Sequence, residues 1–231
     1  LFSNLSITSQ IRAQLVGVYS HLAGDSNEQH APATRCQITA FENSLELLKE
    51  AGFPRKSLVK HLVATGGTIG YPEARYDLAR VGMGLYGYWK TSEWQKRFGK
   101  KIKLKQGLSW KSIISEVKIL TGGGAVGYDF TERAKPGARI AVCPIGYWHG
   151  FPRALSGVGE VVVHGKRAKV IGRVSMDMIV IDVTHFLGIK VGDIVTLIGE
   201  TIPAERLATL ARTSVYEIIT RLNPLIQKFY R

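Results

Sequence analysis

Val158-Gly159-Glu160-Val161-Val162-Val163-His164-Gly165-Lys166-Arg167-Ala168-Lys169-Val170-Ile171 is the stretch that decides the fold. Two runs rich in β-branched residues flank a glycine, which predicts a hairpin turning around Gly165-Lys166. Working outward, residues 108–120, 138–145, 158–164, 167–175, 178–183 and 193–199 read as short strands. Gly122-Gly123-Gly124, Pro136-Gly137, Gly157 and Gly165 punctuate them. Strands at this spacing predict an all-β domain, closed or nearly closed into a barrel. The tail from Pro203 to Leu222 reads as helical, with Thr213 or Ser214 as N-cap of a second short helix.

The first half has another texture. Leu15 to His21 reads as a buried strand with a polar end. Ile38 to Ala51 carries Phe41, Leu45 and Leu48 at helical spacing and is stopped by Gly52 and Pro54. His61-Leu62-Val63-Ala64 is a second strand, and Arg75 to Val81 reads as a helix or a turn. This alternation predicts an α/β unit with parallel strands. The boundary is expected near 90–107, dividing the chain into 1–100 and 101–231. The first half holds only two or three strand-helix units, and a parallel sheet with an exposed end is a poor independent fold. The chain begins at Leu1 rather than Met, so a piece of a longer protein is expected.

Composition narrows the class. Of 231 residues, 45% are hydrophobic and 21% charged, which excludes disorder, collagen and coiled coil as descriptions of the whole. No apolar run is long enough for a membrane-spanning helix, and no basic-then-apolar leader opens the chain. Two cysteines cannot build a disulfide framework. Buried free thiols and a cytoplasmic location are expected. Lys plus Arg number 31 against 18 acids, and the net charge of +13 attracts anions without choosing among them. The densest basic run is Lys96, Arg97, Lys100, Lys101, Lys103 and Lys105. It has no aromatic ladder, so it reads as a solvated linker or surface strand rather than a nucleic-acid patch.

Local motifs leave alternatives open. Gly82, Gly84 and Gly87 form Gly-x-Gly-x-x-Gly, but no long helix follows, and an acid about 20 residues on is missing. A tight turn presenting amides to an anion fits better. Thr65-Gly66-Gly67 is a phosphate cradle or a plain loop. His21 binds a ligand or is structural. His149, His164 and His185 lack metal-ligand spacing, so no metal is assigned. Tyr128 follows a glycine turn and reads as surface or packing, unless a cation or dipole activates it.

In order and spacing, six strings resemble alanine racemases, the pyridoxal-phosphate enzymes of fold type III. They are Tyr19-Ser20-His21-Leu22-Ala23-Gly24; Ala79-Arg80-Val81-Gly82-Met83-Gly84-Leu85-Tyr86-Gly87; Ala125-Val126-Gly127-Tyr128-Asp129; Ile140-Ala141-Val142-Cys143-Pro144-Ile145-Gly146-Tyr147; Gly172-Arg173-Val174-Ser175-Met176-Asp177-Met178; and Thr213-Ser214-Val215-Tyr216-Glu217-Ile218. The resemblance runs over nearly the whole chain. It implies an α/β plus all-β protein: the C-terminal portion of a (β/α)8 TIM-type barrel followed by a β-barrel-like C-terminal domain. It implies pyridoxal 5'-phosphate as cofactor, a small amino acid as substrate and a head-to-tail homodimer with shared active sites. It implies no nucleic-acid or membrane partner. The activity implied is interconversion of L- and D-alanine for peptidoglycan.

The resemblance also assigns residues. Tyr128 is the catalytic acid/base serving the partner subunit's site. Arg80 bonds the pyridine nitrogen, and His21 lies beside the ring. Thr65, Gly82, Met83 and Tyr216 hold the phosphate. Met176 binds the substrate carboxylate through its backbone, and Tyr147 lines the substrate's access path. No segment matches the region of the family's cofactor-binding lysine, so the chain by itself is expected to be inactive. Thr65 stands where serine is common and Ala64 where asparagine is. Trp148 and His149 depart from the usual Gly-Tyr-Ala-Asp-Gly, and residues 224–229 lack the usual arginine-rich ending. A racemase for serine or another small amino acid, and a non-catalytic dimerising or partner-binding fragment, remain alternatives.

Overall fold

In the computed structural model, which describes residues 15–230, the chain divides into a unit ending at Gly107 and a unit starting at Leu108. In the first, β1 (Gly17–Tyr19) and β2 (Val59–His61) run parallel, with Tyr19 opposite His61. A single parallel bridge, Ala64 to Arg80, adds a third stave. Between the strands lies α1 (Ala31–Glu50), which buries Phe41, Leu45 and Leu48 along one stripe. It starts seven residues before the Ile38 that periodicity marks. Pro32 sits in its first turn, where a missing N–H costs nothing.

Two short helices follow, α2 (Thr65–Gly70) and α3 (Ser92–Phe98). The expectation of a linker or strand in the basic run is corrected in its first part by α3. The Thr91 hydroxyl accepts from the Trp94 amide (3.3 Å), and Trp94 is buried, so cap and anchor together order this turn. All six basic side chains of the run are exposed. Residues 75–81 form a turn rather than a helix. The Asp77 carboxylate there accepts from the Lys60 amide (2.8 Å) and ammonium (2.6 Å), which holds its carboxyl below the usual range.

Gly87 closes the 82–87 turn at φ +82, and a Cβ there would lie 1.9 Å from the Lys105 carbonyl oxygen. Gly87→Ala is therefore expected to destabilise the protein by more than ~1 kcal/mol. Urea unfolding of the two proteins checks this.

The second unit contains β3 (Trp110–Ile113), β4 (Glu116–Leu120), β5 (Gly124–Val126), β6 (Glu132–Ala134), β7 (Ala138–Cys143), β8 (Glu160–Val163), β9 (Lys166–Ile171), β10 (Ile179–Asp182) and β11 (Ile194–Ile198). Seven of these form an antiparallel sheet in the order β3-β11-β8-β9-β10-β7-β4. Its two end strands are consecutive in the chain, joined only by Ile114-Ser115. The Ile114 amide donates to the Asp193 carbonyl (2.9 Å), beside β11, and the Ser115 amide donates to Val142 of β7 (2.8 Å). The run expected as one strand, 108–120, is thus bent at this point and links the two ends of the sheet. Burial alternates along β10, with Ile179 and Ile181 inside and Val180 and Asp182 less buried.

The hairpin of β8 and β9 pairs Val163 with Lys166, so its turn is His164-Gly165, one residue earlier than expected. Both residues have positive φ (48° and 73°), as a two-residue turn between twisted strands requires. β5 and β6 form a small hairpin that the glycine-rich sequence concealed. α4 (Ala204–Ala211) and α5 (Val215–Thr220) are separated by Arg212 at φ 54. Ser214 rather than Thr213 is the cap, accepting from the Glu217 amide at 3.3 Å. Arg206 of α4 forks onto Glu160 of β8 (2.9 and 2.5 Å) and holds that carboxyl below its usual range. Both cysteines are free. Cys143 is buried, which pushes its thiol up to about 12. Cys36, expected to be buried, lies outside the apolar stripe of α1 and is exposed.

Candidate active site

Ser20 and His21 continue directly from β1, Leu62 to Ala64 from β2, and Arg80 is the third stave. Their carboxyl ends converge, the position where parallel α/β sheets present ligand-binding loops. The Arg80 guanidinium is the hub. It donates to the carbonyls of Ser20 (2.7 Å), His61 (3.2 Å) and Leu62 (3.2 Å). It also bonds Nδ1 of His61 (2.6 Å) and Nδ1 of His21 (3.2 Å). A guanidinium only donates, so both Nδ1 atoms are acceptors here. The His61 ring stacks on Tyr19 (centroids 5.1 Å apart, 2° between planes), and Arg80 lies 5.5 Å from the Tyr19 ring centre.

Beside this hub, Thr65 is buried, and its hydroxyl accepts from the amides of Gly82 (3.2 Å) and Gly84 (3.3 Å). A Cβ on Gly82 would meet no heavy atom within 4 Å, so the turn faces open space. Met83 buries its side chain in the core. Five of the residues singled out from sequence, His21, Thr65, Arg80, Gly82 and Met83, therefore share one end of one unit. His61 belongs to the same cluster and was missed. It ends β2 as His21 follows β1, and that parallel was its only signal.

Tyr128, Tyr147, Met176 and Tyr216 belong to the second unit. Residues 172–178 join three of them. On one flank, the Tyr147 amide donates to Ser175 (3.0 Å) and the Trp148 amide to Met176 (2.8 Å). A Cβ on Gly146 would lie 2.3 Å from the Ser175 carbonyl oxygen, so this approach requires glycine. On the other flank, Arg173 pairs with Asp129 at 2.7 Å, next to Tyr128. Tyr128 is 66% exposed on a short 3-10 turn, Tyr128–Phe130, where Asp129 and Phe130 have positive φ. Tyr147 and Met176 are also exposed. His149 is turned inward on its own loop, its Nδ1 accepting from the Gly146 amide at 3.1 Å. Tyr216 lies on α5, partly exposed.

Residues 5–90 match the family model described as alanine racemase, N-terminal domain, and residues 107–230 match alanine racemase, C-terminal domain. The chain belongs to the alanine racemase family. Alanine racemase of Leptospira interrogans is 33% identical over 236 residues, covering 99% of this chain and 60% of that protein. The crystal structure of alanine racemase from Bacillus anthracis with bound L-Ala-P superposes with a TM-score of 0.81 at 31% identity, covering 89% of this chain and 52% of that one. Alanine racemase from Bartonella henselae, with covalently bound pyridoxal phosphate, gives 0.78 at 26% identity, covering 99% and 64%. The chain thus spans less than two thirds of the length of these alanine racemases. The residues present fit a phosphorylated pyridine. The Thr65 hydroxyl accepts from two glycine amides and keeps its own proton to donate beside an open turn, and a fixed guanidinium lies beside it. No helix among the described residues is long and apolar enough to cross a membrane.

Proposed function

We propose that this chain forms part of an enzyme that interconverts L- and D-alanine with pyridoxal 5'-phosphate. The observation that carries the reading is the Arg80 guanidinium, fixed by three carbonyls and two imidazoles at the strand ends. Arginine stays protonated at any working pH, so it donates to a pyridine nitrogen without giving up its proton. Thr65 and the turn that carries Gly82 and Met83 would hold the phosphate, and His21 would flank the ring. When bound, the cofactor supplies the electron sink for a negative charge developing at the α-carbon.

The chain's own residues supply part of the rest. Met176 binds the substrate carboxylate through its backbone, and Tyr147 lines the access path. The Tyr128 oxygen takes or returns the α-proton on one face, opposite a lysine on the other, because racemisation needs acid/base groups on both faces. Tyr128 acts in the partner subunit's site of a head-to-tail homodimer.

Chiral analysis of products from L-alanine and L-serine, run with the protein that carries this chain, tests the proposal. D-alanine is expected to form faster than D-serine and to stop when the cofactor is stripped. Faster D-serine would change the substrate, and activity independent of the cofactor would overturn the reading.

A further inference from the structure

We infer that Asp25 and Lys90 form a positioning clamp that sets the phosphate end of the cofactor site, an inference that rests on the pyridoxal-phosphate reading above. Asp25 is 1% exposed and follows β1. Its carboxylate accepts from the Gly67 amide (2.6 Å), the Ser26 hydroxyl (3.0 Å) and the Lys90 ammonium (2.8 Å). Gly67 lies in the first turn of α2, two residues after Thr65, where a backbone amide has no intrahelical partner. Lys90 lies three residues after Gly87, on the segment that carries Gly82 and Met83. One buried carboxylate therefore touches the loop after each of the three staves.

The consequence falls on Thr65. Its hydroxyl accepts from the Gly82 and Gly84 amides, so its position sets where those amides point. Asp25 holds the first turn of α2 through the Gly67 amide, and Lys90 ties the segment after the glycine turn to the same carboxylate. The loops meet closely. A Cβ on Gly66 would lie 2.3 Å from the Ser26 hydroxyl and 2.8 Å from Asp25 Oδ2. A buried carboxylate is costly without its cation, so the two residues act as a unit. Both act through Thr65 and the backbone, and neither is assigned contact with the reacting atoms.

The test uses Asp25→Asn, Lys90→Gln and the double variant of the protein that carries this chain. Dissociation constants are measured for pyridoxal phosphate, for pyridoxal, and for inorganic phosphate as competitor. Each single variant is expected to weaken pyridoxal phosphate about tenfold or more, the scale of one lost charge-assisted hydrogen bond. Inorganic phosphate should weaken in parallel, pyridoxal should hold its affinity, and the double variant should match the singles. Equal weakening of pyridoxal phosphate and pyridoxal, or no change in either, overturns the clamp. If Asp25→Asn fails to fold, Lys90→Gln decides alone, since that side chain is 34% exposed. If the unmodified protein does not prefer pyridoxal phosphate to pyridoxal, the cofactor reading falls and the clamp with it. A preference that survives both substitutions sinks the clamp only.

Discussion

Phenylalanine in place of Tyr128 is expected to lower racemisation by roughly 10²–10⁴-fold in at least one direction, the scale of one lost general acid/base group. The substitution removes one oxygen from a side chain that is 66% exposed. The loop around it is held by other means: Gly127 at φ 75, and Asp129 paired with Arg173 at 2.7 Å. The midpoint of thermal unfolding should therefore not move. Steady-state rates from each enantiomer, measured beside a melting curve, check both halves of the expectation. Near-normal rates in both directions would remove Tyr128 from the chemistry.

Arg80→Ala is expected to damage stability and cofactor binding together. Three carbonyls and two imidazole nitrogens lose their common donor. Hydrogen bonds to a charged group contribute ~1.5–3 kcal/mol each where buried, and Arg80 is half-buried, so a loss of about 2 kcal/mol or more is expected. The affinity for pyridoxal phosphate should fall by about 100-fold. Arg80→Lys retains the charge but not the planar fork, so it should recover part of the stability and little of the affinity. Urea unfolding and cofactor titration of the three proteins separate the two effects. Cofactor affinity unchanged in Arg80→Ala would contradict the assignment. Arg80→Glu is a poorer probe, because it would set a carboxylate against three carbonyl oxygens.

The β hairpin was legible because Val161 to Val163 and Val170-Ile171 flank a glycine turn, and local chemistry decides such an element. The bend that splits 108–120 into two strands was not. The bend at Ile114-Ser115 has neither glycine nor proline, and its two amides donate to carbonyls beside β11 and on β7, strands that are not neighbours in the sheet. α3 was hidden because lysine density reads as solvation, whereas one buried tryptophan and a threonine cap order the segment. In the site, His21 and Arg80 stood out through their strings. His61 did not, because its role depends on the register that sets Tyr19 beside it. Asp25, in Gly24-Asp25-Ser26-Asn27, reads as an ordinary turn acid, and only its burial against Gly67 and Lys90 sets it apart. The roles given to Tyr128, Met176 and Tyr216 come from the resemblance, since each is an exposed or partly exposed side chain with no local mark of chemistry.

In the proposed reaction, the protein carrying this chain removes the α-proton of alanine and returns a proton to the opposite face. Incubating L-alanine with the pyridoxal-phosphate-loaded protein in deuterium oxide tests this most directly, with the α-position followed by proton NMR and the enantiomers separated. The expected product is D-alanine that carries deuterium at the α-carbon. D-alanine that keeps its original proton, or α-exchange that yields no D-alanine, would contradict it.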